Sequence, residues 1–279
     1  MRMGFRSDFN NRSGTPRFFL TLAGMFVVFT ICLVVTFLMR TGDDRIKQAE
    51  DIYRQGELAS NIAQRKDAFN QSLDLFLQME LEYRPNFGTG RLYYDIGNTF
   101  FQLEEYPMAI LYYLRSEKLM PRDGYIDRNL AVARQKLGIS SVDKKTIIDF
   151  LLPSHYLSLP EQLQLFSLAM VLLFVLASGW VWTRNPLFLK GAAVVLAIAL
   201  FFTISIGSIR YFSPTHAVLI HAAELRRDAG TAFATVRAAP IPAGTVVDIL
   251  GTSPDADWVK IVAASGEFGY VPQTSVRLP

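Results

Sequence analysis

The chain has few of the residues from which catalytic and metal-binding sites are usually built. Its one cysteine, Cys32, excludes a disulfide framework and a zinc site made of cysteine thiolates. The three histidines, His155, His216 and His221, share no helical ligand spacing with a carboxylate. The formal net charge is only +3, which argues against the strongly basic surface of a nucleic-acid-binding protein.

Short catalytic motifs are missing as well. The sequence contains no phosphate-binding loop, no dinucleotide-binding glycine motif, no paired-histidine zinc motif and no nucleophile elbow. We therefore expect a protein that is not an enzyme and that needs no cofactor or metal ion.

Apolar residues, in contrast, are abundant and make up 51% of the chain. Three uncharged runs, residues 18–39, 163–182 and 191–209, have about the length of 20 residues that crosses a bilayer. No small-residue cleavage site follows the first run, which favours an uncleaved signal anchor over a cleaved signal peptide. A buried hairpin of a soluble domain is the alternative for the other two runs, but their length and lack of charge disfavour it. The sequence thus predicts three transmembrane helices.

Basic residues beside these runs predict their orientation. The leader, residues 1–17, carries four arginines and one aspartate, and the loop at residues 183–190 carries two basic residues and no acid. Both are cytoplasmic by the positive-inside rule, and three spans make the two assignments consistent. Residues 40–160 and the tail from residue 213 then lie together on the other side.

A segment between the first two runs places small and large residues at fixed positions. Counted from Gly90, the pattern comprises Tyr93, Ile96, Gly97, Phe100, Ala109, Tyr113, Ser116 and Pro121. It resembles the tetratricopeptide repeat, a helix–turn–helix unit of about 34 residues. The small residues let two helices approach closely, the large ones fill the groove to the next helix, and the proline ends the second helix.

A weaker copy precedes this unit, and a single helix follows it. Repeat positions counted forward from Gly56 and backward from Pro85 disagree by about five residues. This disagreement predicts an insertion in the loop at residues 59–67. Leu77 is then aligned with Tyr113, and residues 125–138 form a capping helix. The resemblance implies an all-α repeat solenoid over residues 44–138.

Such solenoids bind extended peptides or helices along the concave face that their first helices form. The resemblance places Arg91, Tyr94, Asn98 and Gln102 in that groove, and Arg128 at the equivalent position of the capping helix. A solvated helix face without a ligand is the alternative. Two units offer a short groove, which suits docking within a complex as well as capture of a peptide.

An apolar segment interrupted by prolines, residues 139–162, is predicted to be an interfacial linker into the second run. Ser158 is expected to cap the following helix, with Pro160 and Glu161 in its first turn.

Short β-type runs separated by glycine, proline and aspartate occupy the tail, residues 213–279. They are residues 217–220, 234–236, 245–250, 258–262 and 268–271. Their succession resembles a bacterial SH3-like domain, an all-β barrel. The landmarks are Glu224-Leu225-Arg226 before a long loop, the turn Pro242-Ala243-Gly244, the central strand Asp257 to Val262, and Gly269-Tyr270-Val271-Pro272.

Some relatives of the SH3-like domain bind cell-wall peptides. The resemblance puts Arg226 and Tyr270 forward as residues of a recognition surface. We expect Trp258 to support the barrel core rather than to stack on a ligand.

The order of anchor, helical repeats, two-span hairpin and SH3-like tail resembles the BatE family, named for the Bacteroides aerotolerance operon. The resemblance implies a bacterial inner-membrane protein whose repeat and tail domains face the periplasm. It further implies von Willebrand-type Bat proteins and a MoxR-type ATPase system as partners in envelope or oxidative-stress tolerance. The first hypothesis is therefore a non-enzymatic scaffold, and the alternative is an envelope sensor that binds peptidoglycan peptide.

Overall fold

A computed structural model of the protein describes residues 44–83, 89–139, 156–211 and 215–279. These residues form seven helices and a C-terminal antiparallel sheet. The predictions for the leader and the first span, and most of the predicted linker, lie outside the described residues.

Among the described residues, five helices precede the two long apolar ones. They are α1 (Asp44–Leu58), α2 (Ile62–Tyr83), α3 (Gly90–Gln102), α4 (Tyr106–Leu119) and α5 (Gly124–Lys136). Side chains that accept hydrogen bonds from first-turn amides fix two of the starts: Thr89 caps α3 and Asp123 caps α5.

The pairs α1–α2 and α3–α4 share a contact between a glycine and an aromatic ring. A Cβ atom on Gly97 would lie 2.7 Å from the Tyr113 ring, and one on Gly56 would lie 2.9 Å from the Phe69 ring. Glycine is therefore required at both positions, because a methyl group has no room against a buried ring. Phe69, and not Leu77, is the counterpart of Tyr113, so the predicted alignment of Leu77 was wrong.

The two helix pairs also share a hydrogen bond from a buried serine of the second helix to a carbonyl of the first. The Ser72 hydroxyl donates to the Ala49 carbonyl and the Ser116 hydroxyl to the Gly90 carbonyl, each at 2.8 Å. Gly56 and Ser72 are 16 positions apart, whereas Gly97 and Ser116 are 19 apart. Three residues connect the helices in both pairs, 59–61 and 103–105, so the insertion predicted at residues 59–67 was wrong.

The helices α6 (Leu159–Thr183) and α7 (Pro186–Tyr211) form an apolar hairpin. Only two residues, Arg184 and Asn185, connect them where the sequence predicted a loop at 183–190. Helix α7 starts early because Pro186 suits a first helical position and the Asn185 side chain accepts from the Leu187 amide at 3.0 Å. The predicted cap of α6 is confirmed, since Ser158 and Glu161 form a capping box.

Both hairpin helices are long and apolar enough to cross a membrane. Only 11% of each apolar window is buried, so most of their large apolar side chains point away from the protein. A core hairpin of a soluble domain would be mostly buried, so the exposure disfavours that alternative. The helices contact each other through Ala169, Val195 and Ala199, and Ser205 hydrogen-bonds Gln162 at 2.8 Å.

The tail forms an open sheet of five antiparallel strands in the order β4-β3-β2-β1-β5. The strands are β1 (Thr215–Leu219), β2 (Val246–Thr252), β3 (Trp258–Val262), β4 (Phe268–Pro272) and β5 (Val276–Arg277). The predicted strand at residues 234–236 contributes only an isolated bridge between Thr235 and Arg226. The fifth strand is instead β5, which pairs with β1. The sheet is open, with β4 and β5 at its edges, where the sequence predicted a barrel.

The sheet packs along α4. The turn at Gly244 lies against Ile110 of α4 and against Leu137 and Ile139, which follow α5. Farther along α4, the side chains of Arg115 and Lys118 each donate at 3.0 Å, to the backbone oxygens of residues 278 and 279. The strands therefore follow the helix over more than two turns.

Candidate functional site

An open pocket of about 180 Å³ lies between α1 and α3. Its polar lining comes from one face of each helix, where residues three or four apart are neighbours. The lining residues are Glu50, Tyr53, Arg54 and Glu57 of α1, Phe76 of α2, and Arg91, Asp95 and Asn98 of α3.

The structure brings only part of the predicted groove into this pocket. Arg91 and Asn98 line it, and Gln102 adjoins it because its amide donates to the Tyr53 hydroxyl at 3.4 Å. The Tyr94 hydroxyl faces α5 and accepts from Asn129 at 3.0 Å.

The fifth predicted groove residue, Arg128, lies on α5. It is exposed, and its guanidinium stacks on the exposed ring of Tyr125, 4.4 Å from the ring centroid. This pair extends the polar and aromatic surface beyond the α1–α3 pocket.

Asn98 is held with its amide oxygen turned into the protein. That oxygen accepts from the Tyr113 hydroxyl and from the Asn129 amide, each at 2.9 Å, so both of its lone pairs are used. Burial raises the pKa of Tyr113, which keeps its hydroxyl a donor. Within the described residues the amide nitrogen of Asn98 has no hydrogen-bond acceptor. Asn98 can thus donate to a ligand carbonyl in the pocket.

Asp95 brings a buried carboxyl to the same wall. The residue is 8% exposed and its Oδ2 accepts from Nε of Arg91 at 3.2 Å. The pKa of Asp95 is raised to about 6, chiefly by burial; the Arg91 charge lowers it and the nearby Glu50 charge makes a smaller upward contribution. Burial likewise raises the pKa of Tyr53 to about 12, so its hydroxyl is neutral at every physiological pH.

The raised pKa of Asp95 makes stability depend on pH. The folded protein keeps the proton up to a pH of about 6, whereas the unfolded chain loses it near the ordinary value of 3.8. The contribution of this proton to the free energy of unfolding is complete below pH 3.8, and it is lost as the pH rises through about 6. We expect this to lower the free energy of unfolding by about 2–3 kcal/mol between pH 4 and pH 7.

The variant Asp95→Asn is expected to lack this loss. The measurement is the free energy of unfolding of the full chain in detergent at several pH values. Asp51→Asn is the control, because that carboxyl lies on α1 with a 68% exposed side chain. An Asp95→Asn variant with the pH profile of the parent chain would contradict the assignment.

Arg226, predicted to belong to the SH3-like recognition surface, is held by hydrogen bonds within the protein. Its backbone pairs with Tyr270 through two hydrogen bonds of 2.9 and 2.8 Å. Its guanidinium donates to Glu224 at 2.5 Å and to the carbonyls of Thr231 and Phe233 at 2.6 and 2.8 Å. The Arg226 side chain thus holds the long loop in place.

An aromatic and lysine strip lies beside it on the outer face of β3 and β4. The Lys260 ammonium lies 5.8 Å from the Tyr270 ring centroid and 5.9 Å from that of Phe268. Trp258 shares this face with Lys260, because the buried residues of β3 are the alternate ones, Val259 and Ile261. The expectation that Trp258 supports the core was therefore wrong, and the alternation along the strand is the signal that reveals its true face.

The sequence reasoning missed the acidic half of the pocket. Glu50 and Glu57 each lie three or four residues, about one helical turn, from Tyr53 and Arg54 on α1, which is a signal of a shared face. Counted from Gly56 as Arg91, Tyr94 and Asn98 are counted from Gly97, the groove positions of α1 are Glu50, Tyr53 and Glu57, so the repeat pattern could have revealed them.

His216 pairs with Asp248 at 2.6 Å, and within the described ranges no group of three or more His, Cys, Asp or Glu side chains is arranged so that it could hold a metal ion.

Comparisons of the chain with protein-family models, curated proteins and solved structures found no match.

Proposed function

We propose that the protein is a non-enzymatic membrane scaffold whose groove along α1, α3 and α5 holds a partner protein. The observation that carries this proposal is the α1–α3 pocket, where the Asn98 amide is fixed with its donor groups available. Such a donor can bind a main-chain carbonyl of an extended segment.

The proposed helical architecture is a tetratricopeptide solenoid over residues 44–138. Its support is the 34 residues that separate the starts of α3 and α5, Gly90 and Gly124, which equals the usual repeat length of about 34. The glycine–ring and serine–carbonyl contacts shared by the two helix pairs add to it. The sheet is proposed to be an SH3-like domain on the landmarks given above.

The proposed location is the bacterial inner membrane, with the helical region and the sheet facing the periplasm. Support comes from the two exposed apolar helices and from the basic residues beside the apolar runs. The order of segments supports membership of the BatE family. That family assignment leads us to propose von Willebrand-type Bat proteins and a MoxR-type ATPase system as the complex that the scaffold serves.

Photo-crosslinking in intact cells tests the scaffold. A photoreactive residue at Tyr94 of the groove is expected to give a discrete protein adduct. The same probe at Gln71, exposed on α2 away from the pocket, is the control and should give none. Equal adducts at both positions would contradict a specific groove.

An envelope sensor that binds peptidoglycan is the second candidate. The aromatic and lysine strip formed by Lys260, Phe268 and Tyr270 favours it, since Phe268 is 65% exposed although it is a large apolar residue. A probe at Tyr270 that attaches wall material, together with no protein adduct at Tyr94, would favour the sensor.

A further inference from the structure

The α1–α3 pocket is too small for a typical small-molecule ligand. Its volume of about 180 Å³ falls below the range of roughly 300–1,000 Å³ for ligand and cofactor sites. One amino-acid side chain, in contrast, is of a suitable size. The pocket is therefore a place for a single side chain of a bound segment.

The charges of the pocket select the kind of side chain. Three carboxylates, those of Glu50, Glu57 and Asp95, line it against the two guanidiniums of Arg54 and Arg91. An incoming anion would face an excess of carboxylates, whereas a cation would be attracted to them.

The two guanidiniums leave part of this negative charge uncompensated. Arg91 is paired with the buried Asp95, and Arg54 pairs with Asp51 at 3.9 Å. Within the described residues neither Glu50 nor Glu57 has a hydrogen-bond or ion-pair partner. A bound cation would supply the missing partner for both.

The pocket also offers apolar surface for the stem of a long cationic side chain. The half-buried Tyr53 ring supplies this surface on the α1 side, with the buried Phe76 of α2 behind it. Lysine and arginine place their methylene stems against such surface while the charged end stays near polar groups. A small inorganic cation could not use this surface.

We propose that the pocket receives the side chain of one lysine or arginine of the partner segment, while the Asn98 amide binds a main-chain carbonyl of that segment. Glu50 and Glu57 are the residues that recognise the cationic end. The inference rests on the proposed scaffold function and specifies the chemistry of its partner.

The test uses the full chain in intact cells with a photoreactive residue at Gln102, on the rim of the pocket. The double variant Glu50→Gln and Glu57→Gln keeps side-chain size and removes two charges. We expect its adduct yield to fall roughly tenfold, the effect of losing one strong charge-assisted contact. Mass spectrometry of the parent adduct should find a lysine or arginine within a few residues of the attachment point.

Asp74→Asn serves as the control, since Asp74 is exposed on α2 and does not line the pocket, and its yield should not change. An unchanged yield in the double variant, or a partner segment without lysine or arginine, overturns the cationic subsite and leaves the scaffold intact. No adduct at Gln102 or Tyr94 in the parent chain overturns the scaffold and the subsite together.

Discussion

Replacing Glu80 with alanine is expected to lower the free energy of unfolding of the helical region by about 3–5 kcal/mol. The Glu80 carboxylate is 5% exposed and accepts from the Tyr112 hydroxyl at 2.7 Å and from Arg115 at 2.9 Å. Arg115 also stacks on Tyr112, 4.8 Å from the ring centroid. Removing the carboxylate leaves a buried guanidinium without its counter-charge, which costs more than the ion pair itself contributes.

The loss is expected to reach the sheet as well. Arg115 donates to the Leu278 carbonyl, so a guanidinium released from Glu80 holds the last strand less firmly. Hydrogen exchange measured by mass spectrometry on the full chain in detergent should show weaker protection in α4 and in residues 276–279.

An exposed ion pair gives the control for this variant. Asp51→Ala breaks the pair with Arg54, whose two side chains are 68% and 69% exposed, and should cost about 0–1 kcal/mol. If Glu80→Ala cost no more than Asp51→Ala, the buried pair would not be an anchor of α4.

Replacing Gly244 with alanine is expected to weaken the contact between the sheet and α4 by about 2–4 kcal/mol. Its φ of +86° is a left-handed conformation that glycine adopts without strain. A Cβ atom there would lie 2.5 Å from a Leu137 methyl and 3.1 Å from methyls of Ile110 and Ile139. Room for the new methyl group requires these terminal methyl groups to shift out of their present packing.

A second glycine separates the two causes. Gly266 has nearly the same φ, +85°, and no described atom lies within 4 Å of the position of its Cβ. Gly266→Ala should therefore show the backbone strain alone, about 1–2 kcal/mol.

The difference between the two variants isolates the packing of the sheet on α4. Thermal unfolding of both variants, together with hydrogen exchange of the α4 amides, measures it. We expect only Gly244→Ala to expose α4. Equal effects of the two substitutions on α4 would show that the Gly244 turn does not hold the sheet there.

The sheet contact and the proposed groove use different helices, which matters for function. The sheet lies along α4, whereas the pocket is formed by α1 and α3 with Phe76 of α2 as its apolar wall. A partner can therefore occupy the groove without displacing the sheet. This arrangement suits the proposed scaffold, since the pocket stays accessible while the sheet is packed on α4.

Local patterns were sufficient for the elements whose cause lies within a few residues. Hydropathy alone predicted α6 and α7, because an uncharged run of this length needs no distant partner to form a helix. The spacing from Gly97 to Tyr113 predicted the α3–α4 pair, and Ser158 with Glu161 predicted a helix start. Alternation and turn residues predicted β1 to β4.

Contacts between distant residues decided the rest. Phe69 pairs with Gly56 because of how α2 packs on α1, and counting positions from either end gave the wrong register. Arg226 looked available in the sequence, but folding brings the carbonyls of its own loop around it. Glu57 and Asp95 meet in one pocket only because α1 and α3 lie side by side. Local sequence patterns thus suffice to predict the helices, most strands and the apolar hairpin, whereas burial, strand order and the charge of the groove depend on long-range packing that no local pattern encodes.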